Sequence, residues 1–309
     1  MNPQTLEHDT TTTRAGRIVK PEWLSPPPLP GYTPPPAGKY TLRVGCEFVY
    51  RSEWPTPAII QVEAYRDGDH QLLEESWRNT PEIDSHEYSD VYGNRCRRLV
   101  IPRGETRLSY DALVDITSNP DEVDLHAEQL PVEFLPDETI IYTLASRYCE
   151  SDLLVHDAWK LFGDTPPGWQ RVQAVCDWCH ENIAYESGAS TPATTALDIY
   201  RNRAGICRDF AHIGVTLCRA LSIPARYCFG YMPDIGVVAP EVPMDFHAWF
   251  EVFLGGRWRT FDARHNTPRI GRVPIARGRD ALDCAMITTY GAAEFQSMIV
   301  WAEEAPESA

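Results

Sequence analysis

A cysteine, a histidine and an aspartate occur in this chain in an order that suits nucleophilic catalysis. Cys207 stands at the predicted start of a helix, and His247 and Asp262 fall on two predicted strands downstream. A thiol needs a base to act as a nucleophile, and the imidazole needs a carboxylate to fix its tautomer and stabilise its charged form. The three residues predict a catalytic triad for acyl transfer, with Cys207 as nucleophile, His247 as general base and Asp262 as the orienting group.

The helix that begins near Cys207 is predicted from a stripe of apolar side chains that includes Phe210, Leu217 and Leu221 and ends before Pro224. Because Cys207 lies on this stripe, its thiol should point toward the sheet on which the helix packs. The unpaired N–H groups of a helix N-terminus and a nearby imidazolium both favour a thiolate, so we expect a lowered thiol pKa. The N–H of Cys207 is also a candidate donor to an oxyanion.

Two predicted strands, over residues 245–254 and 257–263, form a hairpin that brings the other two side chains together. If the loop is Gly255-Gly256, Asp262 lies one diagonal step from His247. If the loop is instead Leu254-Gly255, the two residues face each other directly. Both registers place the imidazole and the carboxylate on one face of the sheet, within about 4.5–8 Å at their β-carbons.

Composition excludes several classes of protein. The chain has 309 residues, of which 43% are hydrophobic, and a formal net charge of -16. This charge disfavours binding to nucleic acid or an anionic membrane, and no apolar run is long enough to span a bilayer. The first residues lack the pattern of a secretory signal, so we expect a cytoplasmic protein whose nine cysteines are mostly free and buried.

The pattern along the chain predicts an α+β fold with two domains. Period-two alternation from Tyr40 to Tyr50, repeated around Val62 and Leu99, predicts an N-terminal antiparallel β-sandwich. Helical stripes then precede the strands of a catalytic core. The expected divisions are a Pro-rich tail over 1–39, the β-sandwich with a connector over 40–150, the core over 151–300 and a second tail over 301–309.

Other residues that could do chemistry have simpler explanations. His212 should diverge from Cys207 around the helix, Asp209 suits the helix dipole, and His265 is a weaker candidate base. The string Cys176-Asp177-Trp178-Cys179-His180 matches a haem attachment motif, but both cysteines lie on an apolar helical stripe. We therefore predict no metal and no cofactor.

The residues around the candidate triad form short segments with a distinctive composition: Gly205-Ile206-Cys207-Arg208-Asp209-Phe210-Ala211-His212, Gly230-Tyr231, His247-Ala248-Trp249-Phe250-Glu251-Val252 and Trp258-Arg259-Thr260-Phe261-Asp262. This set resembles the bacterial transglutaminase-like family of the papain-type cysteine superfamily. The flanking segments Ser146-Arg147-Tyr148-Cys149-Glu150-Ser151 and Gly278-Arg279-Asp280-Ala281 look similar as well. The resemblance covers about residues 40–300, and it implies a papain-like core with Cys207, His247 and Asp262 as its catalytic residues.

These observations predict cysteine-dependent acyl transfer on a carboxamide, peptide or isopeptide bond of a peptide or protein substrate. The acyl acceptor stays open, because neither the residues nor the resemblance distinguish water from an amine. The alternative is a non-catalytic module on the same fold that binds peptides in its cleft.

Overall fold

The computed structural model describes residues 38–66, 70–239 and 242–305. The tail predicted over 1–39 lies outside this part of the chain except for its last two residues, as do residues 306–309. Within the described residues, no helix has both the length and the apolar composition needed to cross a bilayer.

The described residues form antiparallel sheets and helices, in keeping with the predicted α+β class. The strands are β1 (Lys39–Ser52), β2 (Thr56–Ile60), β3 (His70–Thr80), β4 (Ser85–Ser89), β5 (Arg95–Ile101), β6 (Gly104–Thr117), β7 (Ala184–Tyr185), β8 (Ala204–Gly205), β9 (Ala225–Tyr231), β10 (His247–Leu254), β11 (Arg257–Phe261), β12 (Val273–Gly278), β13 (Ile287–Thr289) and β14 (Ala293–Glu304). The α-helices are α1 (Asp137–Ile140), α2 (Val155–Phe162), α3 (Trp169–Asn182), α4 (Ala196–Asn202) and α5 (Cys207–Ala220).

The N-terminal region contains two four-stranded antiparallel sheets, with strand orders β14-β1-β6-β3 and β13-β2-β5-β4. The alternation predicted along β1 is present, since Leu42, Val44, Cys46 and Phe48 are all buried. Period-two burial follows from the pleat of a strand, which sends successive side chains to opposite faces.

The C-terminal residues return to these N-terminal sheets, which corrects the expected boundaries. β14 pairs with β1 from Leu42 opposite Glu304 to Ser52 opposite Ala293, and β13 pairs with β2. Residues 301–304 are therefore strand rather than tail, and the N-terminal region is built from both ends of the described chain. The physical reason is burial: Val300 and Ala302 face the core.

A third sheet, with strand order β11-β10-β9-β12, carries the candidate histidine. Helix α5 packs on one face of it so closely that a β-carbon at Gly214 would lie 2.6 Å from the Phe250 ring. Leu254 pairs with Arg257, which confirms the first of the two hairpin registers. The loop residues Gly255 and Gly256 have φ values of +58° and +81°, a backbone conformation that glycine adopts without strain.

One hydrophobic core joins the N-terminal sheets to the third sheet. Its buried members come from β1, β2, β5 and β6 and also from β9, β10 and β12. Phe246, the residue before β10, stacks on Phe48 of β1 with ring centroids 6.2 Å apart. The N-terminal sheets therefore support the backbone from which His247 projects.

We predict that Phe48→Ala lowers the free energy of unfolding by about 3–5 kcal/mol, because it leaves a cavity in this shared core. Phe295 is the matched control, since it lies on β14 but is 52% exposed; Phe295→Ala should cost about 1 kcal/mol or less. Urea unfolding monitored by tryptophan fluorescence measures both values. A loss of about 1 kcal/mol or less in Phe48→Ala would contradict its place in the shared core.

Candidate active site

The N-terminus of α5 is held by a buried carboxylate. Asp209 is fully buried, accepts the N–H of Ile206 at 2.9 Å and pairs with Arg208 at 2.8 Å. A β-carbon at Gly205 would lie 2.7 Å from the Asp209 side chain, so only glycine allows this close approach. Asp209 thus fixes the turn that presents Cys207, in addition to its favourable place at the positive end of the helix.

The thiol of Cys207 lies against the start of β10. Its sulfur is 4.0 Å from the carbonyl oxygen of Phe246, and it is the one partly exposed cysteine among nine, all of them free. Burial raises the pKa of Cys207, although the N–H groups of Ala248 and Arg208 and the charge of Arg264 act to lower it. The helix N-terminus acts to lower the pKa of Cys207, as the sequence suggested, but burial outweighs this effect. The expected lowered pKa is therefore wrong for this arrangement.

The histidine and aspartate of the candidate triad are joined directly. His247 Nε2 donates to Asp262 Oδ2 at 2.8 Å, and both side chains are almost completely buried. Burial lowers the pKa of His247 to about 4, against the opposing effect of Asp262. Burial alone would raise the pKa of Asp262, but His247 and Arg272 hold it well below its usual range. The ground state is therefore a neutral imidazole beside an ionised carboxylate.

Asp262 accepts hydrogen bonds from further donors besides His247. Arg272 donates from Nη2 to the same oxygen at 2.9 Å, and His265 Nδ1 lies 3.1 Å from it. The other carboxylate oxygen accepts the backbone N–H groups of Arg264 and His265, both at 3.1 Å. The sequence does indicate that His265 could contact Asp262, because it follows Asp262 by three residues in a turn. No local pattern indicates that Arg272 would do so.

No hydrogen bond joins the side chains of Cys207 and His247 in the described structure. The thiol lies against the backbone of Phe246, the residue before His247, while the imidazole ring stacks on Trp249, two residues further along the same strand. Because Nε2 of His247 is bonded to Asp262, Nδ1 is the ring nitrogen left for another partner.

His212 lies elsewhere in the core. Its ring stacks on Tyr148 with centroids 5.2 Å apart, and Nε2 accepts the N–H of Ala281 at 3.1 Å. Burial lowers its pKa to about 3. The two flanking segments singled out in the sequence meet here, since the N–H of Tyr148 donates to Asp280 at 2.8 Å. They brace α5 rather than contribute to the candidate triad.

The cysteines of the haem-like string, Cys176 and Cys179, are buried on α3. Within the described residues, one group of three potential ligands has atoms close enough to hold a metal ion: His247, Asp262 and His265, all within 4.8 Å of one another. This group shares His247 and Asp262 with the candidate triad. The guanidinium of Arg272 already neutralises the shared carboxylate, which opposes the binding of a cation there.

We predict that iodoacetamide alkylates Cys207 before the eight buried cysteines, and that the rate keeps rising above about pH 8.5, because burial raises the thiol pKa above that of a free cysteine. His247→Ala should leave this pH profile nearly unchanged, since the imidazole is neutral above about pH 4. Peptide mass spectrometry of labelled protein measures both. A plateau at neutral pH that disappears in His247→Ala would instead indicate a thiolate–imidazolium pair.

Comparison with known proteins places these residues in a recognised sequence region. A family model described as the transglutaminase-like superfamily matches residues 160–263, which include Cys207, His247 and Asp262. The uncharacterized protein ML0607 of Mycobacterium leprae is 30% identical over 117 residues, which are 37% of this chain and 42% of that protein. The chain thus aligns with less than half of this relative.

A solved structure is similar over nearly the whole described chain. It is the "Putative Cysteine Protease" of Cytophaga hutchinsonii, with 36% identity, coverage of 88% of this chain and 93% of that one, and a TM-score of 0.79. At this identity and coverage, the similarity extends to the N-terminal sheets as well as to the core that carries Cys207.

Proposed function

Because this chain belongs to the transglutaminase-like superfamily, a group of cysteine-dependent enzymes, we propose that it hydrolyses a peptide or carboxamide bond through a Cys207 thioester. The observation that carries the proposal is the buried hydrogen bond from His247 Nε2 to Asp262 Oδ2 beside the N-terminus of α5. The name of the Cytophaga hutchinsonii relative supports hydrolysis over transfer to an amine.

In the proposed mechanism, the sulfur of Cys207 attacks the carbonyl carbon while its proton passes to Nδ1 of His247. The tetrahedral intermediate collapses when the imidazolium gives that proton to the departing amine, leaving a thioester. Water then attacks the thioester with His247 again as base, which releases the acid and restores the thiol. Asp262 stays ionised throughout, and it stabilises the transient imidazolium.

The acyl acceptor is tested by incubating the protein with peptides that contain glutamine or an isopeptide bond, with and without a primary amine, and weighing the products. We expect free acid even at high amine concentration, and loss of activity by at least about 10³-fold in Cys207→Ala. Cys218→Ala, on the same helix but buried in its core, is the control for packing. Amine adducts as the main product would replace hydrolysis with transamidation; unchanged turnover in Cys207→Ala would refute the thioester.

The pH dependence of kcat/KM should reflect the buried histidine. Since the pKa of His247 is lowered to about 4, the neutral base persists below pH 6 and activity should fall only near pH 4. Arg272 helps to lower that pKa, so Arg272→Gln should move the acid limb to higher pH. Arg277→Gln is the matched control, because Arg277 pairs with Glu251 instead. Tryptophan fluorescence at each pH confirms that the protein is folded. An acid limb near pH 6.5 in the unsubstituted protein would contradict the assignment.

A further inference from the structure

An arginine stacked on a tyrosine lies beside the N-terminus of α5. The guanidinium carbon of Arg264 is 3.7 Å from the centre of the Tyr185 ring. Tyr185, on β7, pairs with Gly205, two residues before Cys207, and its ring centroid is 6.3 Å from that of Phe210 on α5. Because Tyr185 is 47% exposed and the thiol is partly exposed, a molecule that reaches Cys207 also reaches this pair.

The position of Arg264 is fixed by its backbone as well as by the ring. Its N–H donates to Oδ1 of Asp262 at 3.1 Å, and its carbonyl oxygen lies 2.8 Å from Nδ1 of His180. Stacking of a guanidinium on an aromatic face holds the plane of the charged group. The guanidinium therefore has a defined place in the structure without an ion pair to hold it there.

The side-chain N–H groups of Arg264 are free to bind a molecule from outside. Within the described residues they have no hydrogen-bond acceptor, and none of the three nitrogen atoms is buried. The carboxylate of Asp245 accepts the N–H of Phe246 at 2.7 Å, and in this same part of the chain it forms no ion pair with Arg264. A carboxylate is the acceptor that matches the planar fork of a guanidinium, with two parallel hydrogen bonds.

Arg264 is also close enough to the nucleophile to act on what the nucleophile attacks. Burial raises the pKa of Cys207, and among the neighbouring charges Arg264 acts to lower that pKa while Asp245 acts to raise it. An attractive charge at this distance also acts on a charged group attached near the atom that reacts with sulfur.

We propose that Arg264 binds a carboxylate of the substrate next to the carbonyl that Cys207 attacks, so that the substrates are carboxylate-bearing peptides or amides. The inference rests on the proposed function for the attack itself. Its test requires only the thiol, so the two can fail separately.

The test compares alkylation of Cys207 by iodoacetate and by iodoacetamide, which differ in carrying a carboxylate or an amide beside the reacting carbon. Both reagents attack the same thiolate, so the ratio of their rates does not depend on the thiol pKa. Arg264→Gln should lower the ratio of the iodoacetate rate to the iodoacetamide rate at least about threefold. Arg264→Lys should restore most of it, because the charge is kept. Peptide mass spectrometry measures the rates.

Arg147→Gln is the matched control, because Arg147 also stacks on a tyrosine, at 4.9 Å from the ring of Tyr148. Tyr148 stacks on His212 in the core instead of lying beside Gly205. The substitution removes the same charge and should change the ratio by less than about 1.5-fold, because exposed charges farther from the thiol are screened. An unchanged ratio in Arg264→Gln, or an equal loss in Arg147→Gln, would overturn the proposal.

Protection of Cys207 from iodoacetamide by short peptides identifies the source of the carboxylate. N-acetylglutamine against its α-amide tests a terminal carboxylate, and N-acetyl-Glu-Gln-amide against N-acetyl-Gln-Gln-amide tests an acidic side chain. In one of these pairs the carboxylate form should protect at a concentration at least about threefold lower, and Arg264→Gln should abolish the difference. Protection requires binding and not turnover, so it is independent of the proposed hydrolysis. Equal protection within both pairs would overturn the assignment of Arg264.

Discussion

A carboxylate buried in a protein interior must be paired, and the charge of Asp262 is the constraint on which this site depends. Arg272 supplies the opposite charge and the neutral His247 donates a hydrogen bond to it, from two different elements. Arg272 in turn binds Asp121, in the connector after β6. One chain of alternating charges therefore ties the hairpin to the loop before β12 and to the connector after β6. Displacement of any of these three segments would leave a buried charge without its partner.

The same constraint explains why part of the site could be predicted from sequence. The two-glycine loop sets the register of β10 against β11, so the proximity of His247 and Asp262 follows from local numbering. Arg272 escaped prediction because its contact with Asp262 depends on a loop path that has no periodicity. The pKa of Cys207 was predicted with the wrong direction because helix geometry is visible in a sequence, whereas the burial of a particular sulfur is a tertiary property.

The fold was predictable to a similar degree and for similar reasons. The amphipathic stripe of α5 and the alternation of β1 are local patterns, and both elements form where they were expected. The pairing of β14 with β1 spans the length of the chain and was missed, because only the completed core shows that Val300 and Ala302 have a face to cover. This closure gives the N-terminal sheets a structural connection to the site through Phe48 and Phe246.

Burial acts on both members of the proposed nucleophile–base pair in the same sense. It disfavours the thiolate of Cys207 and the imidazolium of His247, so the neutral pair is the stable ground state. Proton transfer from Cys207 to His247 separates charge, and it becomes favourable only when an oxyanion develops nearby and can be stabilised. Asp262 is already ionised, so it can stabilise the imidazolium that forms. Under the proposed mechanism, the reactivity of the thiol therefore arises with the bound substrate, and the resting protein keeps its single accessible cysteine in a less reactive form.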